Sequence, residues 1–70
     1  MKYFVAYKQS EDTYAYVINI GTVVNTTLSY ASALDFLTKK NAQSICSFLN
    51  DYDKTREYIV LEYEYSIKEI

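Results

Sequence analysis

The chain has no histidine, proline or tryptophan, and it has only one cysteine, one glycine and one methionine among its 70 residues. These gaps remove most of the residue sets on which catalytic motifs depend: imidazole bases, His/Cys metal clusters and glycine-rich phosphate loops. The lone Cys46 also excludes an intramolecular disulfide, and its place on an apolar helix stripe predicts a buried, inert thiol. We therefore expect a protein that is not an enzyme and that uses no cofactor and no metal.

The size and composition predict a single globular domain over residues 1–70. Half of the residues are hydrophobic and 23% are charged, and a chain this short buries only about 60% of its unfolded surface, too little for a second core. Nine acidic residues against seven basic ones give a net charge of -2, which disfavours direct binding of nucleic acid. No segment approaches the ~20 apolar residues of a membrane span, and no leader precedes Tyr3, so we expect a cytoplasmic protein.

Segments rich in aromatic and β-branched residues predict the strands. The first two run from Lys2 to Lys8 and from Thr13 to Ile20, and the polar break Gln9–Asp12 between them predicts a hairpin with a longer loop. Residues 22–27 are β-prone but short, and they fit a bulged continuation, a fourth edge strand or an ordered loop. The last segment, 56–70, alternates so regularly that it predicts one long half-buried strand.

The apolar period changes in the middle of the chain, where a helix is predicted over residues 39–50. Thr38 is suited to its N-cap, and the apolar positions recur with helical spacing. These positions are Ala42, Ile45, Cys46 and Leu49. The order ββαβ predicts an α+β fold: a three-stranded antiparallel sheet, four-stranded if residues 22–27 join it, with the main helix packed on one face.

Side-chain alternation predicts which sheet face the helix covers. If Phe4 points toward the helix, the final strand also turns a set of alternate residues toward it. That set is Ile59, Leu61, Tyr63, Tyr65 and Ile67. Tyr3, Tyr7 and Tyr58 then lie on the opposite, open face, and tyrosine is enriched at protein interfaces. One hypothesis is therefore a homo-oligomeric structural or regulatory module, a possible homodimer, in which this face and an edge strand contact a second copy.

The last third of the chain holds an excess of carboxylates, six against three basic groups from Asp51 onward. On one strand face, Glu62 and Glu64 would stand about 6.6 to 6.8 Å apart, a spacing on the scale of a nucleic-acid backbone. A solvated surface explains most charge runs. The sharper hypothesis is that this surface occupies a basic nucleic-acid site on another protein. The predicted contact residues are Glu62, Glu64, Tyr58, Asp51, Asp53 and Glu57, with Tyr58 as anchor.

The second half of the chain also resembles a known group of proteins. The stretch Phe36–Ala42 (FLTKKNA), the following Ile45, Cys46 and Leu49, and the ending EYIVLEYEYSIKEI are similar to small phage and prophage proteins of Gram-positive hosts, some of which are anti-CRISPR proteins. The resemblance implies inhibition of the type II effector Cas9, with its guide RNA, in the host cytoplasm. Such inhibitors commonly block the site whose arginines contact the PAM duplex.

Overall fold

A computed structural model describes all 70 residues, which form one five-stranded antiparallel sheet and one α-helix. The strands are β1 (Lys2–Ser10), β2 (Thr13–Ile20), β3 (Val24–Thr27), β4 (Ile59–Tyr63) and β5 (Ile67–Glu69), and the helix is α1 (Lys39–Tyr52). The spatial order of the strands is β3-β2-β1-β4-β5. The α+β class is thus confirmed. The predicted ββαβ order is wrong in detail, because two strands follow the helix and three precede it.

The predicted long final strand is a hairpin. β4 ends at Tyr63, residues 64–66 form a bend, and β5 returns with Ile67 opposite Tyr63 and Glu69 opposite Leu61. A bend of three residues keeps odd-numbered side chains on one face of both strands. The regular alternation of this segment therefore concealed the turn.

The first hairpin and the edge strand form as predicted, but their boundaries differ from the predicted ones. β1 continues to Ser10, so only Glu11 and Asp12 form the turn, and the register of β1 against β2 shifts between Lys8 and Ser10. The fourth-strand alternative for residues 22–27 is correct for β3, which lies at the edge of the sheet.

The predicted helix forms with its predicted cap. Thr38 Oγ1 accepts a hydrogen bond from Asn41 N at 3.2 Å, which satisfies one of the free N–H groups of the first turn. The helix continues to Tyr52, and Asp53 N then donates to Leu49 O at 2.8 Å. At 14 residues, α1 lacks the length and apolar character of a membrane span. Its buried side chains are Ala42, Cys46 and Leu49.

The helix covers the sheet face opposite to the one predicted. Its buried side chains pack against Val5, Val17, Tyr58 and Val60, with Tyr3 and Tyr7 partly buried at the rim. The expectation that Tyr3, Tyr7 and Tyr58 share an open face is therefore wrong. Both faces of this sheet carry apolar side chains. The alternation of side chains along each strand therefore assigns residues to two faces, but it does not indicate which face the helix covers.

The other face of the sheet has its own small core. Tyr30, in a short 3-10 turn at Tyr30–Ser32, covers it with a ring whose centroid lies 4.9 Å from that of Tyr63 and 6.1 Å from that of Phe4. The tyrosine-rich face that lacks the helix is thus closed in part by the chain itself. Its buried residues are Phe4, Ala6, Tyr16 and Leu61.

Candidate partner-binding surface

Glu62 and Glu64, the centre of the predicted acidic row, lie in different surroundings. Glu62 belongs to β4, is half-buried, and stands opposite Tyr3 of β1 and Lys68 of β5. Glu64 follows the end of β4, lies in the bend and is exposed. The two glutamates are therefore not alternate positions of one strand, as the sequence predicted, and Lys68 brings a positive charge beside Glu62.

The other predicted contact residues lie at the opposite end of β4, where α1 ends and the chain leads into the strand. Asp51 is exposed, and its Oδ1 lies 3.8 Å from Lys54 Nζ. Glu57 is also exposed and immediately precedes Tyr58. Because β4 separates this group from Glu64 by roughly 20 Å of extended chain, the predicted residues do not form one compact patch.

The Asp53 carboxylate is used inside the molecule. It accepts hydrogen bonds from the Thr55 hydroxyl, from Thr55 N at 3.0 Å and from the Tyr58 hydroxyl at 2.8 Å. The Thr55 hydroxyl makes the largest contribution to lowering the pKa of Asp53, followed by the Tyr58 hydroxyl and the Thr55 N–H group. This carboxylate closes the loop after α1, which leaves it poorly placed to meet a partner.

Tyr58 cannot act as the exposed anchor that the sequence predicted. Its side chain is only 3% exposed because α1 covers the sheet face on which it lies. Its ring packs edge-on against Tyr7 with 5.7 Å between centroids. Burial, and next the hydrogen bond to Asp53, raise the pKa of Tyr58 well above its usual value. Tyr58 is therefore a core residue with a satisfied hydroxyl.

The β4–β5 hairpin carries three glutamates and a fourth lies two residues before β4, and we call this set of four residues the acidic ribbon. Both ion pairs of the structure lie elsewhere, and β5 is the outermost strand, so no other strand covers this edge. Sequence reasoning missed one of the four, Glu69, because a continuous strand would place it far from Glu62. The hairpin returns it to a position opposite Leu61. The four residues are Glu57, Glu62, Glu64 and Glu69.

Tyr65 is the most exposed aromatic residue of the chain, with 91% of its surface accessible. It lies in the bend between β4 and β5, next to Glu64, at the tip of the acidic ribbon. The sequence prediction had turned Tyr65 toward the helix, because it treated residues 56–70 as a single strand. The bend releases it from that face and presents its ring to solvent.

A groove of about 540 Å³ lies at the opposite end of the sheet, beside the end of α1. The Arg56 guanidinium lies over the Tyr7 ring, 4.6 Å from its centroid, a cation–π geometry. Arg56 also lines a smaller depression of about 320 Å³, which has Lys8, Glu57 and Glu69 in its wall. The walls of this depression thus carry charges of both signs.

Cys46 lies under the sheet-facing side of α1 and is 8% exposed. Burial is the main cause that raises the pKa of its thiol, and Asn50 Nδ2 lies 3.6 Å from its sulfur. No group of three or more cysteine, aspartate or glutamate side chains is gathered in a way that could hold a metal ion.

Comparisons with protein-family models, with curated proteins and with solved structures find no match for this chain.

Proposed function

We propose that this chain is a non-enzymatic inhibitor that binds a nucleic-acid-handling protein and blocks its basic DNA-binding site, with Cas9 and its guide RNA as the partner. The observation that carries the proposal is the acidic ribbon: four glutamates outside any ion pair, three of them on the β4–β5 hairpin at the edge of the sheet and one just before it. An edge with an excess of carboxylates can approach a cleft that is built to hold a phosphate backbone, even though Lys68 lies opposite Glu62.

Several features of the ribbon support this function. None of the four carboxylates forms an ion pair within the chain, so their negative charge can steer the approach to a basic surface. Tyr65 at the tip supplies the exposed aromatic contact that Tyr58 cannot supply, and tyrosine is among the residues that dominate binding energy at interfaces. Asp51, in the last turn of α1, is paired with Lys54 at 3.8 Å and lies outside the ribbon.

The proposal is tested with the full chain and purified Cas9 carrying its guide RNA. The variant Glu62→Lys/Glu64→Lys changes the net charge by four units, and Glu11→Lys/Asp12→Lys makes the same change in the β1–β2 turn, about 25 Å away along β1. We expect the first variant to bind at least about tenfold more weakly in biolayer interferometry, and the second to stay within about threefold of the wild type.

Two further measurements examine the mode of binding. A PAM-containing duplex should compete with the chain for Cas9, and rising salt should weaken the complex because its attraction is electrostatic. Tyr65→Ala should weaken binding by about tenfold or more without changing the salt dependence. Absence of binding to Cas9 at micromolar concentration would exclude this partner, and equal losses in the two charge variants would mean that net charge, and not the ribbon, determines affinity.

A further inference from the structure

One half of the sheet carries no charge at all. Residues 13–34 contain no aspartate, glutamate, lysine or arginine, and they form β2, β3 and the 3-10 turn. The acidic ribbon lies at the opposite edge of the same sheet. The protein is therefore divided into a charged edge and a neutral edge.

The neutral edge ends in β3, which pairs with β2 on one side only. Backbone N–H and C=O groups on the outer side of an edge strand are free to pair with another chain, and proteins commonly block them with lysine, proline or inward-pointing charge. β5, at the other edge, carries Lys68 and Glu69. β3 (VNTT) is protected only by its length of four residues and carries none of these groups, so its backbone edge can still pair with another strand.

Exposed apolar side chains surround this open edge. Val23 before β3 is 65% exposed and Leu28 after it is 62% exposed. On the helix side, Phe48 and Tyr52 stack with 5.7 Å between ring centroids and remain about half exposed. The Tyr52 hydroxyl donates to Thr22 O at 3.4 Å, which places the stacked pair beside the β2–β3 turn.

We propose that β3 pairs with β3 of a second copy of this chain, antiparallel and across a two-fold axis. The charge distribution favours a second copy as the partner of β3. Two copies of net charge -2 repel each other, and this repulsion is smallest when the neutral edges meet and the acidic ribbons lie on the outside. A two-fold contact uses the same patch on both copies and closes after two. The two sheets then join into one continuous sheet, and the flanking apolar side chains are covered at its centre.

The test is sedimentation velocity of the full chain from about 1 to about 100 μM, the range suited to a small interface. We expect a concentration-dependent dimer that persists at high salt, since its contact surface is uncharged. Asn25 is exposed at the middle of β3. Asn25→Lys and Asn25→Glu each place two like charges near the axis and should raise the dimer dissociation constant at least about tenfold. A mixture of the two variants should restore dimerisation.

Two controls separate charge from other effects. Asn25→Ala removes the same hydrogen bond, from Asn25 Nδ2 to Asn19 Oδ1 at 2.7 Å, without adding charge and should keep the dimer. Ser66→Lys adds one charge at the opposite edge and should also keep it. A monomer at all concentrations, or a dimer that Ser66→Lys disrupts and Asn25→Lys does not, overturns the proposal. Glu62→Lys/Glu64→Lys should leave the dimer intact, so the partner-binding proposal and this one fail independently.

Discussion

The side-chain amide of Asn50 is hydrogen-bonded to the backbone of Tyr58 through both of its polar atoms. Tyr58 N donates to Asn50 Oδ1 at 2.7 Å, and Asn50 Nδ2 donates to Tyr58 O at 3.0 Å. Tyr58 is buried and precedes β4, so its backbone groups at this point would otherwise lack partners. The last turn of the helix thus fixes where the chain re-enters the sheet.

Asn50→Ala should destabilise the protein by about 1 to 3 kcal/mol, because it leaves a buried N–H and C=O without partners. Asn41→Ala is the matched control: Asn41 is exposed on the same helix, and the substitution should change the unfolding free energy little. Urea unfolding followed by circular dichroism measures both. Equal stability of the two variants would show that water replaces the Asn50 amide at no cost.

Much of the fold follows from local sequence signals. Thr38 has a side-chain oxygen and directly precedes a segment whose apolar residues recur about every 3.6 positions. The structure uses Thr38 as the N-cap of α1. The first two strands lie where aromatic and β-branched residues cluster. The turn after Tyr63 has only a weak signal, Ser66, because residues 64–66 contain no glycine, proline or asparagine and continue the alternation.

The wrong prediction of the sheet face that α1 covers had a different physical cause. Phe4 and Val5 are both fully or almost fully buried, so neither side of β1 has the polar pattern that identifies a solvent face. The distinction between the faces depends on Tyr30, whose short turn covers Phe4 from a distant part of the chain. Coverage of a face by a residue distant in sequence produces no periodic pattern. For this reason the sequence prediction placed Tyr58 on an open face.

The observed position of the helix on the sheet reverses the expected effect of a substitution at Val60. By alternation with Tyr58, the sequence prediction places Val60 on the open face, where a substitution would be tolerated, but Val60 is 6% exposed and packs under the helix. Val60→Thr should now cost about 1 to 3 kcal/mol, because it buries a hydroxyl group in an apolar site. Thermal unfolding measures the loss. A melting midpoint equal to that of the wild type would contradict the position of α1 over β4.

Leu61→Ala should cost about 2 to 5 kcal/mol even though Leu61 faces away from the helix, because its side chain is completely buried in the second core. Leu37→Ala is the matched control. Leu37 is 84% exposed, and its truncation removes little contact and should be nearly neutral. If both leucine variants unfold at the same denaturant concentration, the second core contributes nothing to stability.

Cys46 should react slowly with a thiol reagent in the native protein. Burial raises the pKa of its thiol, so both the reactive thiolate and access to it are scarce at neutral pH. We expect labelling at least about tenfold slower in buffer than in denaturing urea. Cys46→Ala should fold and bind its partner with modestly reduced stability, and rapid native labelling would mean that α1 opens readily from the sheet.

The pH dependence of stability should contain a contribution from Asp53. Its pKa in the folded protein is lowered from 3.8, first by the Thr55 hydroxyl and then by the Tyr58 hydroxyl, whereas the unfolded chain keeps the ordinary value. The stabilisation is therefore fully present above the ordinary pKa and is lost as the pH falls through the lower pKa of the folded state. Asp53→Asn cannot titrate, so its urea midpoint should fall less steeply than that of the wild type as the pH is lowered from neutrality into this acidic range. Asp51→Asn removes an exposed carboxylate from the same helix end and is the control for the loss of one charge. Identical slopes in the wild type and Asp53→Asn would contradict the hydrogen bonds assigned to Asp53.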